Sequence, residues 1–363
     1  MKILVWQWGR FGGGPRVAVE LANGLRAHPG MDVVLSLARD AEIRATTPGD
    51  WPVKTYTGRA SFVWRVAILG PMLASLLWRL QQIRPDFAIC AMPGLLDLVI
   101  AAGLKVLRIP YAVVVHDARP HPGERFPIQF GLHWLLIRGA AMVIVMSRHV
   151  EGQLQNWRMV GHRTLVNIVH PPFAPVAPMP PEVHEGPYRI LLIGRLLHYK
   201  GLDLLADALE WLGPRPDMEL RVVGQGPPSS ALDRLRALPG VTVENRWVPE
   251  AEFDEMIGWA GAVILPYREA SQSGVAAAAL SAGRRVLGTL VGGLSEQLAH
   301  DPAAELCAPN SVALANALRD LLERGRFVPL PPRPDPQAAW LRAVTRLAAV
   351  IETGGRNANN RNH

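Results

Sequence analysis

The chain has 363 residues, long enough for two domains with separate cores, and 49% of them are apolar against 19% charged, the balance of a globular rather than a disordered chain. Its two cysteines, Cys90 and Cys307, supply neither a disulfide framework nor a metal-ligand spacing, which points to a reducing cytoplasm. The net charge of +7 sits at the front: residues 1–170 carry 19 Lys+Arg against 10 Asp+Glu, whereas 171–363 carry 19 against 21. An anionic partner of the first half is expected, and nucleic acid is the weakest choice because no basic run with interleaved aromatics appears.

The opening MKILVWQWGR is too short in its apolar part for a signal peptide and reads as a buried strand, ILVWQW (3–8). The loop GRFGGGP (9–15) follows, then an amphipathic helix over 16–28 with Pro15 in its first turn. Strands are expected at 32–38, 87–92, 111–117 and 142–147, near-continuous Val, Ile and Leu that suit a parallel sheet covered on both faces. Between them VAILGPMLASLLW (66–78), bracketed by Arg65 and Arg79 and interrupted by Gly70-Pro71, is too short to cross a bilayer but long enough to lie on one. Residues 173–187 are Pro-rich and read as a linker between a first domain, 1–172, and a second, 188–337. Strand–helix alternation then restarts, with strands at 188–195, 219–226, 241–247, 262–267 and 284–289 and helices at 202–212, 250–260 and 275–283. A last helix, 338–352, is expected to cross back onto the first domain, and 353–363 to be a disordered tail. The fold class is therefore α/β: two doubly wound, Rossmann-like domains facing each other across a cleft, with ligands beyond the carboxyl ends of the strands.

Four segments carry chemistry. Consecutive glycines at Gly12, Gly13 and Gly14, opening a helix, let backbone N–H groups approach a phosphate. The dinucleotide fingerprint and the Walker pattern are both absent, and a plain tight turn fits equally. In GRLLHYKG (194–201), Arg195 and Lys200 follow a strand, where two cations meet the charge that develops on a diphosphate leaving group. Alone, the pair is equally consistent with solvated loop cations. PYREASQSGVAAAALSAG (266–283) offers Ser271, Gln272, Ser273 and Gly274 at a helix start, or a capped core helix and nothing more. In HDARPHPG (116–123), His116 and Asp117 suit sugar hydroxyls or proton handling, while His121 between prolines reads as loop.

In this order the segments resemble glycosyltransferase family 4, retaining enzymes of the GT-B fold. The likeness runs through GGGPRVAVELA, VVVHD, VMSRHVEGQL, LLIGRLLHYKGLDLLADAL, VVGQGP, AVILPYREASQSG, ALSAGRRVLGT and GGLSE, most of the chain. The resemblance implies that Arg195 and Lys200 hold the donor diphosphate, that Gly194 and Gly224 border it, and that Gly12–Gly14 lies near the donor. It further implies that His116 contacts the transferred sugar, with Asp117 beside it, and that the backbone at Ser273 and Gly274 meets the phosphates. The family usually carries two glutamates with seven residues between them. Here those positions fall on Ala270 and Ala278, leaving Glu269, one place early, and Glu296 of GGLSE as the carboxylates able to approach the donor.

The implied reaction is hexosyl transfer with retention from a nucleotide-sugar donor, independent of metal and of any cofactor: no Asp-x-Asp triplet occurs, and cations of the second domain take the metal's place at the leaving group. The basic first half and the 66–78 segment suggest a glycan or polyprenyl-linked acceptor, and peripheral association with an anionic membrane at the cytoplasmic face of the plasma membrane. Two rivals stand beside this: a nucleotide-sugar 2-epimerase of the same fold, needing no acceptor, and a non-catalytic sugar-nucleotide-binding protein, suggested by the missing glutamates.

Overall fold

The computed structural model describes residues 1–44, 47–119, 127–174, 185–324 and 335–359. It falls into two compact units. The first takes in Met1–Arg119, the segment 127–171 and the last helix from Gln337, and the second takes in the described part of Pro172–Pro336.

The first unit is built on a parallel sheet of β1 (Lys2–Gln7), β2 (Asp32–Leu37), β3 (Phe87–Cys90), β4 (Tyr111–Val115), β5 (Met142–Val145) and β6 (Thr164–Asn167), in the order β2-β1-β3-β4-β5-β6. Its helices are α1 (Gly13–Ala27), α2 (Arg59–Ala67), α3 (Leu69–Ile83), α4 (Asp97–Val106), α5 (Pro127–Gly139) and α6 (Arg148–Asn156). The inner strands are buried on both faces, as their unbroken apolar runs require. Trp6 and Tyr111 meet edge to face at 6.0 Å in this core.

The second unit repeats the plan with β7 (Tyr188–Ile193), α7 (Leu202–Leu212), β8 (Met218–Gly224), α8 (Ser230–Ala237), β9 (Val241–Asn245), α9 (Glu250–Trp259), β10 (Ala262–Leu265), α10 (Gly274–Ser281), β11 (Arg285–Thr289), α11 (Gly292–Leu298), β12 (Ala304–Cys307) and α12 (Ser311–Arg324). Its parallel sheet runs β12-β11-β10-β7-β8-β9. Alternate residues of β7 feed opposite cores: Ile190 and Leu192 join one, Leu191 and Ile193 the other. Arg284, buried, donates to the Ile257 and Gly258 carbonyls (3.0 and 2.8 Å) and so closes the C-terminal end of α9. In each sheet the strand order reverses once, between β1 and β3 and between β7 and β10. Adjacent loops leave in opposite directions there, which opens a crevice at the carboxyl ends.

Several boundaries differ from the sequence reading. The 66–78 segment is not one stretch broken at Gly70-Pro71. The break falls at Ile68 between α2 and α3, which meet at a 76° bend, and Pro71 sits in the first turn of α3, where its missing N–H costs nothing. No single helix among the described residues is long and apolar enough to cross a membrane. Of the expected linker, 175–184 lies outside the described residues, but Phe173 is buried in the second unit, 3.3 Å from where a side chain on Gly274 would begin. The last helix, α13 (Pro336–Asn359), runs through most of the expected tail, since each added helical residue gains a hydrogen bond; residues 360–363 lie outside the described ones. The Trp340 side chain of α13 is buried against Gly24 of α1, where a Cβ would stand 3.1 Å from the Trp340 Cβ.

One buried group of the first unit is costly. Asp97, at the start of α4, accepts from the Gly94 N–H (2.8 Å) and the Cys90 thiol (3.3 Å). Burial pushes its carboxyl up to about 7, against the pull of those two donors and the Trp6 indole.

Truncating Trp340→Ala should cost about 3–5 kcal/mol, seen as an earlier urea transition of the first unit. Asp97 should also impose a pH dependence. An unfolded aspartate loses its proton near pH 4 and the folded one near about 7, so between those values the folded state holds a proton the unfolded state has released, and stability falls as pH rises. Asp97→Asn should gain on the parent chain across that window by roughly 2–4 kcal/mol and run parallel to it above. Urea melts at pH 4.5 and about 7.5 measure the difference.

Candidate functional site

The expected site residues fall into two groups, one at the switch point of each sheet. In the second unit, β7 is followed by Gly194, whose φ of 127° suits only glycine. The Gly194 N–H donates to Val223 O (3.1 Å) and Leu196 N–H to Gln225 O (2.9 Å), so the chains leaving β7 and β8 stay paired past the sheet. That pairing requires Gly224, since a Cβ there would lie 1.7 Å from Gly194 O. The chain then turns through the short 3-10 segment His198–Lys200 to Gly201, at φ 68° and pressed so close to β10's exit that a Cβ would meet Pro266 O at 1.7 Å.

This approach places the cations. Lys200 Nζ stands 3.7 Å from the centre of the Tyr267 ring and 5.1 Å from that of Tyr199, and the Arg195 guanidinium lies 5.7 Å from the Tyr199 ring. Arg268 N–H donates to Tyr199 O (2.8 Å) and the Arg268 guanidinium pairs with Asp203 (2.6 Å), tying the loop after β7 to the loop after β10. Tyr267 is buried; desolvation pushes its phenol up to about 12, opposed by the Ser273 side chain and the charge of Arg195. It is therefore a neutral donor near pH 7.

The loop 269–273 delivers α10 to the same place. Ser273 caps the helix, its Oγ accepting from the Ala276 N–H (3.2 Å). Gln297 of α11 clamps the Ser273 backbone from both sides, its Oε1 accepting from Ser273 N–H (2.9 Å) and its Nε2 donating to Ser273 O (3.0 Å). Of the expected Ser273–Gly274 pair, the Ser273 N–H is thus committed to Gln297, and Gly274 opens the first turn of α10. Gly194 is brought within 3.8 Å, measured from its would-be Cβ, of Val275 in that first turn. Ser271 is buried and Gln272 half-buried, whereas Glu269 and Glu296 are exposed. Ala270 and Ala278, at the positions of the paired glutamates, are both buried in the core beneath. Arg195, Lys200, Ser273 and Gly274 are gathered around one switch point, with Gly224 directly behind it.

In the first unit, Gly12 (φ 78°) caps α1, and nothing lies within 4 Å of a Cβ built on Gly12 or Gly13. Gly14 differs, being filled from behind by the Gln7 amide (2.7 Å) and Met92 Sδ (3.0 Å). The buried Gln7 side chain also underlies Gly9, at 2.5 Å from its would-be Cβ, so it holds the inner wall of the loop. At the end of β4, buried His116 donates from Nε2 to Ala91 O (2.8 Å), which puts the proton of the neutral ring on Nε2. Burial holds the His116 imidazole below its ordinary value, the Ala91 carbonyl and Asp117 pulling it back. His170, whose Nδ1 donates to Pro171 O (2.7 Å), is driven down to about 4, chiefly by burial, with His116 adding to the shift. His133 of α5 is likewise lowered by burial, and Asp117, itself exposed, raises it. His121 lies outside the described residues.

Sequence reading did not single out Gln7, His133, His170, Tyr199, Tyr267 or Gln297. Gln7 carried one signal, a polar residue closing an otherwise apolar strand before a glycine loop. Tyr267 carried another, an aromatic just beyond a strand end.

Comparison with known proteins bears on the whole chain. Residues 11–170 match the family model described as Glycosyltransferase Family 4, and residues 187–324 match that described as Glycosyl transferases group 1. A D-inositol 3-phosphate glycosyltransferase of Jonesia denitrificans is 33% identical over 184 residues, 45% of this chain and 42% of that protein. The chain thus spans less than half the length of the curated relatives it matches. Among solved structures, Anabaena HepE in complex with UDP and glucose superposes with a TM-score of 0.66 at 17% identity, covering 97% of this chain and 99% of that one. A UDP-GlcNAc 2-epimerase of Neisseria meningitidis bound to UDP-GlcNAc superposes less closely, with a TM-score of 0.58 at 11% identity over 96% and 100% of the two chains. Both likenesses are of fold, and with the two family matches they lead to one assignment: the chain belongs to glycosyltransferase family 4 and has the GT-B fold.

Proposed function

We propose that the protein is a retaining glycosyltransferase that moves a hexose from a nucleoside-diphosphate sugar to a lipid-linked or surface-polysaccharide acceptor. The observation that carries this reading is the convergence of Lys200, Arg195 and the first turn of α10 on the β7–β10 switch point. Two cations and a helix N-terminus suit a diphosphate, because it is the leaving group on which negative charge grows as the glycosyl bond breaks. The Anabaena neighbour's UDP and glucose support a nucleoside-diphosphate hexose as the donor class.

In the proposed reaction the bond from the anomeric carbon to the diphosphate oxygen breaks while the acceptor oxygen bonds that carbon from the same face. The acceptor proton passes to the departing oxygen, so no separate base is required. Lys200 and Arg195 neutralise the leaving group without a metal, and the neutral Tyr267 phenol holds the Lys200 stem and ammonium on its face. His116, held by its Nε2–H on Ala91 O and uncharged, meets a hydroxyl of the transferred sugar with its ring; Asp117 and Gly12–Gly14 line the same end of the first sheet. Glu269 and Glu296 are left with peripheral roles at the donor, since both are exposed.

In a thermal-shift series of UDP, ADP, GDP and TDP, one nucleotide should raise the melting temperature, a ligand at a hundred times its Kd adding about 2.7 kcal/mol. Lys200→Ala should abolish most of that shift and lower donor turnover more than roughly tenfold, the loss of a charge-assisted contact of about 1.5–3 kcal/mol. Undiminished nucleotide binding and turnover in Lys200→Ala would remove the switch-point cations from the mechanism. Conversion of the donor alone into an epimer would replace transfer with isomerisation.

A further inference from the structure

Helix α2 has no buried residue, which is unusual for a helix of nine residues that cannot stand alone in water. Among the described residues its aromatic tether is Phe62, edge to face with Tyr56 at 5.1 Å. The rest of its apolar surface faces outward: Val63 is 66% exposed and Trp64 64% exposed, with Val66 beside them. Helix α3 buries only the stripe Met72, Leu76, Leu80 and Ile83, and its outer side carries Trp78, 61% exposed. Two outward tryptophans within fifteen residues are not the scattered exposed apolar residues of an ordinary surface.

Charge identifies what covers them. Residues 51–85 contain five Lys and Arg and no Asp or Glu, although the chain as a whole carries 31 acids. Lys54, Arg59 and Arg84 of this segment are exposed. A protein partner or a second copy of the chain would have to supply both an apolar pocket and a carboxylate cluster. An anionic bilayer supplies both at once, since indole rings settle at the headgroup level while arginines pair with phosphates.

We propose that α2 and α3 form the face by which the protein rests on an anionic phospholipid surface, with Trp64 and Trp78 inserted at headgroup depth and the surrounding basic residues on lipid phosphates. This rests on the reading of a lipid-linked or surface acceptor and gives it a place in the fold, on the first unit. Contact is interfacial, not spanning, because α2 and α3 are separate short helices bent apart by 76°.

Flotation of the purified full chain with vesicles of phosphatidylcholine, alone or with about 30% phosphatidylglycerol, tests the assignment. The chain should float with the anionic vesicles, weakly or not at all with the neutral ones, and less as salt is raised. The double variant Trp64→Ser/Trp78→Ser should lose at least about tenfold in vesicle affinity, and Lys54→Glu/Arg59→Glu should lose the preference for the anionic lipid. Since all four side chains are exposed, these variants should keep the parent melting temperature and nucleotide-induced shift, which separates a failed membrane face from a failed donor site. Flotation equal in the parent and the tryptophan variant overturns the proposal, as does no flotation of the parent. So does a parent dimer that becomes monomeric in the tryptophan variant without any vesicle binding, which would assign the face to a second copy.

Discussion

A single backbone approach sets the geometry of the second unit's site. Gly201 lies so close to the Pro266 carbonyl that any side chain would occupy the same space, and that contact brings the residue before it, Lys200, onto the ring of the residue after it, Tyr267. The ammonium of Lys200 therefore meets a ring face, which stabilises a cation without cancelling its charge. Arg215, Arg234, Arg246 and Arg268 of the same unit are each held in place by an Asp or Glu. The same logic runs through Gly194 and Gly224, whose lack of side chains lets β7 and β8 stay paired until the loop reaches the switch point.

The first unit solves a different problem, keeping polar groups neutral. His116 and His170 are buried together, and each is held below its ordinary value, so near pH 7 both are uncharged rings with one nitrogen committed to a carbonyl. Neutral imidazoles exchange hydrogen bonds with hydroxyl groups in either sense, which fits a unit facing a sugar rather than a phosphate. Asp97 belongs to this pattern. Its carboxyl, displaced toward neutrality by burial, sits behind Cys90 and the 91–94 turn that supplies His116's carbonyl partner.

Much of this was legible in the chain itself. Both sheets announced themselves because strands covered on two faces need unbroken apolar runs, and the loops 9–14, 194–201 and 266–274 were marked by the glycines, cations and serines that a turn at a strand's carboxyl end can use. The edge strands β6 and β12 escaped, for TLVN and AELC are short and mixed, with nothing to distinguish them from loop. Helix α2 escaped for the opposite reason: helical periodicity is read from a buried stripe, and it has none. The supporting side chains escaped as well, because Gln297 reaches Ser273 from 24 positions away and Gln7 reaches Gly14 across a turn, contacts set by topology and not by spacing.

The two alanines at 270 and 278 show how a departure in sequence propagates into the architecture. A glutamate at 270 would now be buried among Tyr267, Ala276 and Leu280, and one at 278 would be buried as well, where an ionised carboxylate is expensive. The family's charged pair has been exchanged for packing, and α10 is held against its sheet by close-fitting small residues. What remains to fix the start of α10 is the Gln297 clamp on Ser273, a neutral amide using both of its ends. Anchoring by an amide leaves the first turn of α10 without a nearby negative charge from those two positions. The field at the switch point is therefore more positive than a glutamate pair at 270 and 278 would leave it, with Lys200 and the first turn of α10 as its contributors.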